Sequence, residues 1–95
     1  MTVYIAGKIT GDPEYRAKFA HAQEMLKKQG YIVINPAVLP SVGFDWGACM
    51  RIASAMLDEC DAVYFLPDWM ESKGARIEYQ RAKRLRKRIL EAQHE

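Results

Sequence analysis

The chain has 95 residues, 49% hydrophobic and 27% charged, with a formal net charge of +2. That balance suits one folded domain with a modest core, and it excludes a disordered chain, which would hold fewer apolar residues and more net charge. No apolar run approaches the roughly 20 residues of a bilayer span, and the start of the sequence lacks the charged lead of a signal peptide. No membrane is therefore expected as a partner, and a cytoplasmic location is.

The predicted elements alternate strand and helix. Val3 to Ala6 is a short apolar run ending at Gly7, a buried first strand. Asp12-Pro13-Glu14 marks a helix start, with Asp12 as cap and Pro13 in the first turn. Tyr15, Phe19, Ala22, Met25 and Leu26 form its core stripe, and Gly30 ends it. Tyr31 to Ile34 is a second strand, stopped by Asn35-Pro36. Residues 36 to 46 read as a long loop, and long ordered loops are often functional. A second helix runs from about Gly47 to Glu59, with Met50, Ala53, Met56, Leu57 and Cys60 inward. Ala62 to Leu66 is a third strand, ended by Pro67. A third helix covers about Gly74 to Lys87. Arg88-Ile89-Leu90 is either a fourth strand or more helix.

This order predicts an α/β fold: a Rossmann-like, flavodoxin-like three-layer sandwich on a parallel sheet of about four strands. Residues 1 to 95 form one domain in this reading. Ligands in such sheets sit at the carboxyl ends of the strands, so Gly7 to Gly11, Asn35 to Trp46 and Pro67 to Gly74 should share a crevice.

Glu78 is the most informative residue. It shares a stripe with Ala75, Ala82, Leu85 and Ile89 and so lies on or beside an inward face near the crevice. A buried carboxylate must be paired, hydrated or functional. A structural role, with the helix dipole or Arg76 as partner, fits the spacing equally well. Ser72 can cap the third helix, and Gly74 lets a ligand approach the backbone, so the free N–H groups there can bind phosphate. Gly7-Lys8-Ile9-Thr10-Gly11 is a similar turn, but neither a P-loop nor a GxGxxG fingerprint is present.

Asp45 and Asp68 can reach the crevice as acid/base groups, whereas Asp61 starts its strand at the far end. Trp46 and Trp69 flank the crevice and either stack a base or anchor their loops. His21 and His94 have no partner spacing. Cys49 and Cys60 lack CxxC spacing, so reduced thiols are expected and no metal site. Six of the eight residues from Arg81 to Arg88 are Lys or Arg. A solvated helix end explains them, and nucleic acid is not expected as a partner.

Three segments carry a resemblance. Tyr4-Ile5-Ala6-Gly7, Cys60-Asp61-Ala62-Val63-Tyr64-Phe65-Leu66-Pro67-Asp68-Trp69 and Ser72-Lys73-Gly74-Ala75-Arg76-Ile77-Glu78 resemble the nucleoside 2-deoxyribosyltransferase-like superfamily. The branch they look most like is the small phage and prophage proteins of the DUF4406 type. The likeness spans about residues 3 to 90, and the Ser72-x-Gly74-x-x-x-Glu78 element is its most specific part.

The resemblance implies cleavage or transfer at the N-glycosidic bond of nucleosides or their monophosphates, without cofactor. It implies Glu78 as nucleophile and Tyr4 beside it. Phosphate would be held by Ser72, Gly74 and the turn containing Gly7, Lys8 and Gly11. It also implies a homodimer. One departure stands out: the hydrolases of the group place an acid/base aspartate where this chain has Ala53. Asp68 is then the substitute expected here, with Asp45 or a partner chain's residue as alternatives. Three functions stay open: an enzyme of this kind, a nucleotide-binding or sensing module with the same pocket, and an interaction protein using the basic helix.

Overall fold

The computed structural model describes residues 1–40 and 43–92; His94 lies outside them. Seven main elements follow in order: β1 (Thr2–Ala6), α1 (Tyr15–Lys28), β2 (Ile32–Ile34), α2 (Trp46–Asp58), β3 (Ala62–Phe65), α3 (Lys73–Arg84) and β4 (Arg88–Glu91). Short 3-10 turns occupy Pro36–Val38 and Trp69–Glu71. The sheet is wholly parallel, in the order β2-β1-β3-β4.

Alternation along β1 sets the layers. Val3 and Ile5 pack with Phe19, Ala22 and Leu26 of α1. Tyr4 and Ala6 point the other way, into a cluster with Ala53 and Leu57 of α2 and Ala82 of α3. The result is the expected three-layer, flavodoxin-like sandwich, with α1 on one face and α2 and α3 on the other. From Val3 to Ala6 no residue is more than 1% exposed, which is why this run is apolar throughout instead of alternating. No helix among the described residues is long and apolar enough to cross a membrane.

Several boundaries differ from the sequence expectation. Helix α1 starts at Tyr15, not at Asp12. The Asp12 carboxylate is used one turn earlier, accepting the Glu14 N–H at 2.9 Å and gripping Lys18 at 2.7 Å. Helix α2 begins at Trp46 because Asp45 caps it, accepting the Ala48 N–H. Leu85 leaves the inward stripe and is 42% exposed.

The choice at Arg88 falls to a strand. Arg86 takes a left-handed conformation (φ 57°). The Lys87 N–H then reaches back to the Ala82 carbonyl at 2.9 Å and the Arg86 N–H to the Lys83 carbonyl at 3.1 Å, a Schellman closure of α3. Gly30 closes α1 in the same way.

Cys49 and Cys60 are free thiols. Burial pushes the Cys60 thiol up to about 11, and it donates to the Met56 carbonyl.

Candidate active site

The strands deliver their carboxyl ends to one rim, where a cavity of about 360 Å³ opens. That is the size range of a small-molecule pocket. Its floor is the end of β1, with Tyr4, Ile5 and Gly7. One side holds Pro36, Ala37, Leu39, Pro40, Phe44 and Trp46 from the long loop and the start of α2. The other holds Ser72, Gly74, Ala75 and Glu78 from the start of α3. The crevice expected from topology therefore exists.

Glu78 is 6% exposed and lines this cavity from the second turn of α3. The Tyr4 hydroxyl, from β1, donates a hydrogen bond to its Oε2. Burial pushes the Glu78 carboxyl up to about 7, and the Tyr4 hydrogen bond opposes that rise. Burial, with the Glu78 charge next to it, pushes the Tyr4 phenol well above its ordinary range. The pair is thus a carboxyl group poised near neutrality, with its anion held by a phenol that stays protonated.

Of the residues singled out from sequence, Tyr4, Gly7, Ser72, Gly74 and Glu78 line the cavity. Lys8, Gly11 and Asp68 are not part of its wall. Asp68 instead accepts the Lys8 N–H at 3.1 Å and pairs with Lys18 at 3.3 Å. The Lys8 ammonium lies 3.7 Å from Glu71. Asp45 is occupied as the α2 cap, and Asp61 ties β3 to the start of β1 by accepting the Thr2 N–H at 2.9 Å.

Ser72 is both cap and wall: its Oγ accepts the Ala75 N–H at 3.1 Å, which leaves its hydroxyl hydrogen to donate. Gly7 is required by packing, since a Cβ there would come within 2.6 Å of Leu66 Cδ1. At Gly74 a Cβ would meet Met50 Sδ at 3.1 Å, so this glycine lets α2 and α3 approach.

The two tryptophans separate. Trp69 stacks on Tyr79 with ring centres 4.5 Å apart and also meets Phe65, so it anchors its turn. Trp46 lines the cavity at 46% exposure, with the Lys73 ammonium 5.1 Å from its ring centre. Thr10, Tyr15, Phe44 and Cys49 also reach the wall. Sequence pattern did not single these out as site residues, although two of them, Thr10 and Phe44, sit on segments assigned to the crevice.

Three of the six basic side chains of the Arg81–Arg88 run are engaged in the fold. Arg81 forms a two-pronged pair with Asp58 at 2.7 and 2.6 Å, and Lys87 donates to the Asp58 carbonyl at 2.8 Å. Lys83 lies over Tyr79. Among the described residues, no three His, Cys, Asp or Glu side chains converge as metal ligands would.

The family model described as a domain of unknown function, DUF4406, matches residues 1–91. Among solved structures, the chain is similar to a 2-desoxiribosyltransferase from Leishmania mexicana, with a TM-score of 0.73 and 20% identity. The match covers 95% of this chain and 62% of that one, so the chain spans less than two thirds of that structure's length. At this identity the likeness is one of fold. Comparison with curated proteins gives no match.

Proposed function

This chain belongs to the DUF4406 family, and from that premise we propose that it cleaves or transfers the N-glycosidic bond of a nucleoside or nucleotide, with Glu78 as nucleophile. One observation carries this reading: a buried carboxyl, hydrogen-bonded by a phenol, in the wall of a cavity at the carboxyl rim of a parallel sheet. The fold shared with a 2-desoxiribosyltransferase supports it.

In the proposed reaction a Glu78 carboxylate oxygen attacks the anomeric carbon. The bond from that carbon to the base nitrogen breaks, and its electron pair leaves with the base. A water molecule or a second base then attacks the same carbon and releases the carboxylate. Tyr4 is a positioning residue that holds Glu78 and disperses its charge. Ser72 and the backbone N–H groups at Lys73 and Gly74 would hold a polar substituent of the sugar, such as a phosphate.

The test is base release from a panel of deoxynucleosides and their monophosphates, followed by chromatography, with intact-protein mass spectra from the same samples. Wild type should release base, and Glu78→Ala should lose the activity by roughly 10³-fold or more. No release from any of these, nor from 7-methyl-2′-deoxyguanosine, with or without free base as acceptor, would sink the reading.

A second reading, a nucleotide-binding or sensing protein without turnover, is favoured by one fact. Glu78 is the sole carboxyl among the described residues of the cavity wall. Tight binding in the same panel without base release would establish it.

A further inference from the structure

Glycosyl transfer ordinarily takes two carboxyl groups, one to attack the sugar and one to protonate the departing base. Among the described residues the cavity wall has one carboxyl, Glu78, and no Lys, Arg or His. Trp46, Cys49, Met50 and Ala53 are the wall residues of α2, none of them a carboxyl, and Ala53 offers only a methyl group at 6% exposure. Acids on the surrounding loops are committed elsewhere: Asp45 to the Ala48 N–H, Asp68 to the Lys8 N–H and Lys18. The Tyr4 hydrogen already goes to Glu78, and its phenol is pushed well up, so it is a poor donor to a leaving group. The remaining hydroxyl and thiol groups of the wall belong to classes far less acidic than a carboxyl.

A neutral nucleobase without an acid must leave as an anion. A base that already carries a ring positive charge leaves as a neutral molecule and needs no proton. A second observation concerns the cavity mouth. Trp46 stands there half exposed, and the Lys73 ammonium lies 5.1 Å from its ring centre, within cation–π range. That indole face therefore already receives a cation. Lys73 is itself exposed, so its ammonium can return to water when a flat cationic ring takes its place.

We propose that the cavity takes N-glycosides whose base is a cationic aza-aromatic ring, an N-alkylated purine or a pyridinium, stacked on Trp46 with its sugar over Glu78. This rests on the glycosyl reading of the same site. Glu78 forms a bond to the anomeric carbon. The carbon–nitrogen bond breaks, its electron pair neutralises the ring, and the neutral base departs. Water then displaces the carboxylate, and the proton it sheds goes to solvent.

The experiment compares 7-methyl-2′-deoxyguanosine with 2′-deoxyguanosine near neutral pH, each measured against its own uncatalysed rate in the same buffer. Nicotinamide riboside serves as a second cationic donor. Wild type should accelerate the cationic donors at least ~100-fold more than the neutral one, the usual worth of a general acid. Glu78→Gln should accelerate none of them. Ala53→Asp should raise acceleration of the neutral donor relative to the cationic ones, narrowing the ratio between them. Because a buried aspartate can unfold the domain, the wild-type comparison decides alone if Ala53→Asp melts early. Equal acceleration of neutral and cationic donors would overturn this inference while leaving the glycosyl reading intact. Acceleration of neither would overturn both.

Discussion

Two side chains 74 positions apart in sequence carry most of the proposed chemistry, and each can be tested alone. Glu78 must be ionised to attack, and burial pushes it up to about 7. The rate at low substrate should therefore climb about tenfold per pH unit below that value and level off above it. A pH–rate profile measures this. Tyr4→Phe removes the hydrogen bond that favours the Glu78 anion, so the rising limb should move to higher pH while Glu78 remains in place.

The same shift has a stability consequence. Unfolded, the carboxyl ionises near its ordinary 4.5; folded, it keeps its proton to about 7. In that window the native state binds the extra proton, so wild-type stability should fall as pH rises from about 4.5 to 7 and stay low above. Glu78→Gln removes this loss. It should gain on the order of 3 kcal/mol relative to wild type on going from pH 5 to pH 8, read from urea melts at both pH values.

At the scale of elements, the ends of α1 and α3 make a controlled pair. Both close by the same backbone bonds, yet α1 uses Gly30 and α3 uses Arg86 in the left-handed region. A side chain there costs roughly 1–2 kcal/mol, partly offset by the entropy a glycine loses on folding. Arg86→Gly should raise stability by about 0.5–1 kcal/mol, or several degrees in Tm, with no change at the cavity. Gly7→Ala is the converse. Its Cβ would come within 2.6 Å of Leu66 Cδ1 and 3.0 Å of its Cβ. The end of β1 or the start of the β3 loop must shift, and about 1–3 kcal/mol should be lost. Since Gly7 also lines the cavity floor, substrate affinity should weaken with it.

For the whole molecule, the homodimer that the family resemblance implies is open to a direct measurement. Ile52 on α2 and Ile77 on α3 are 37% and 44% exposed, on the layer that also builds the cavity. Light scattering on a sizing column should give twice the chain mass. Ile77→Asp should shift the mass toward monomer without lowering the melting point of the monomer itself.

Sequence alone was enough for the three helices and the first three strands of the sheet, but not for β4. Periodicities differ between strand and helix, and alternating elements leave few topologies that bury both faces of a parallel sheet. It was enough, too, to select Glu78, because a carboxylate on an apolar stripe is costly whatever surrounds it. The Gly30 stop was legible because glycine is the usual left-handed cap. The α3 stop was not, because an arginine is forced into that geometry by the return to β4.

Tertiary structure decided what depends on distant partners. It joined Tyr4 to Glu78 across the chain, tied Asp68 to Lys8 and Lys18, and turned Trp69 toward Tyr79 while leaving Trp46 at the cavity. These outcomes follow from which side chains meet once the sheet is assembled. No local pattern encodes them, because hydrogen bonds and packing between residues far apart in sequence exist only after the chain has closed.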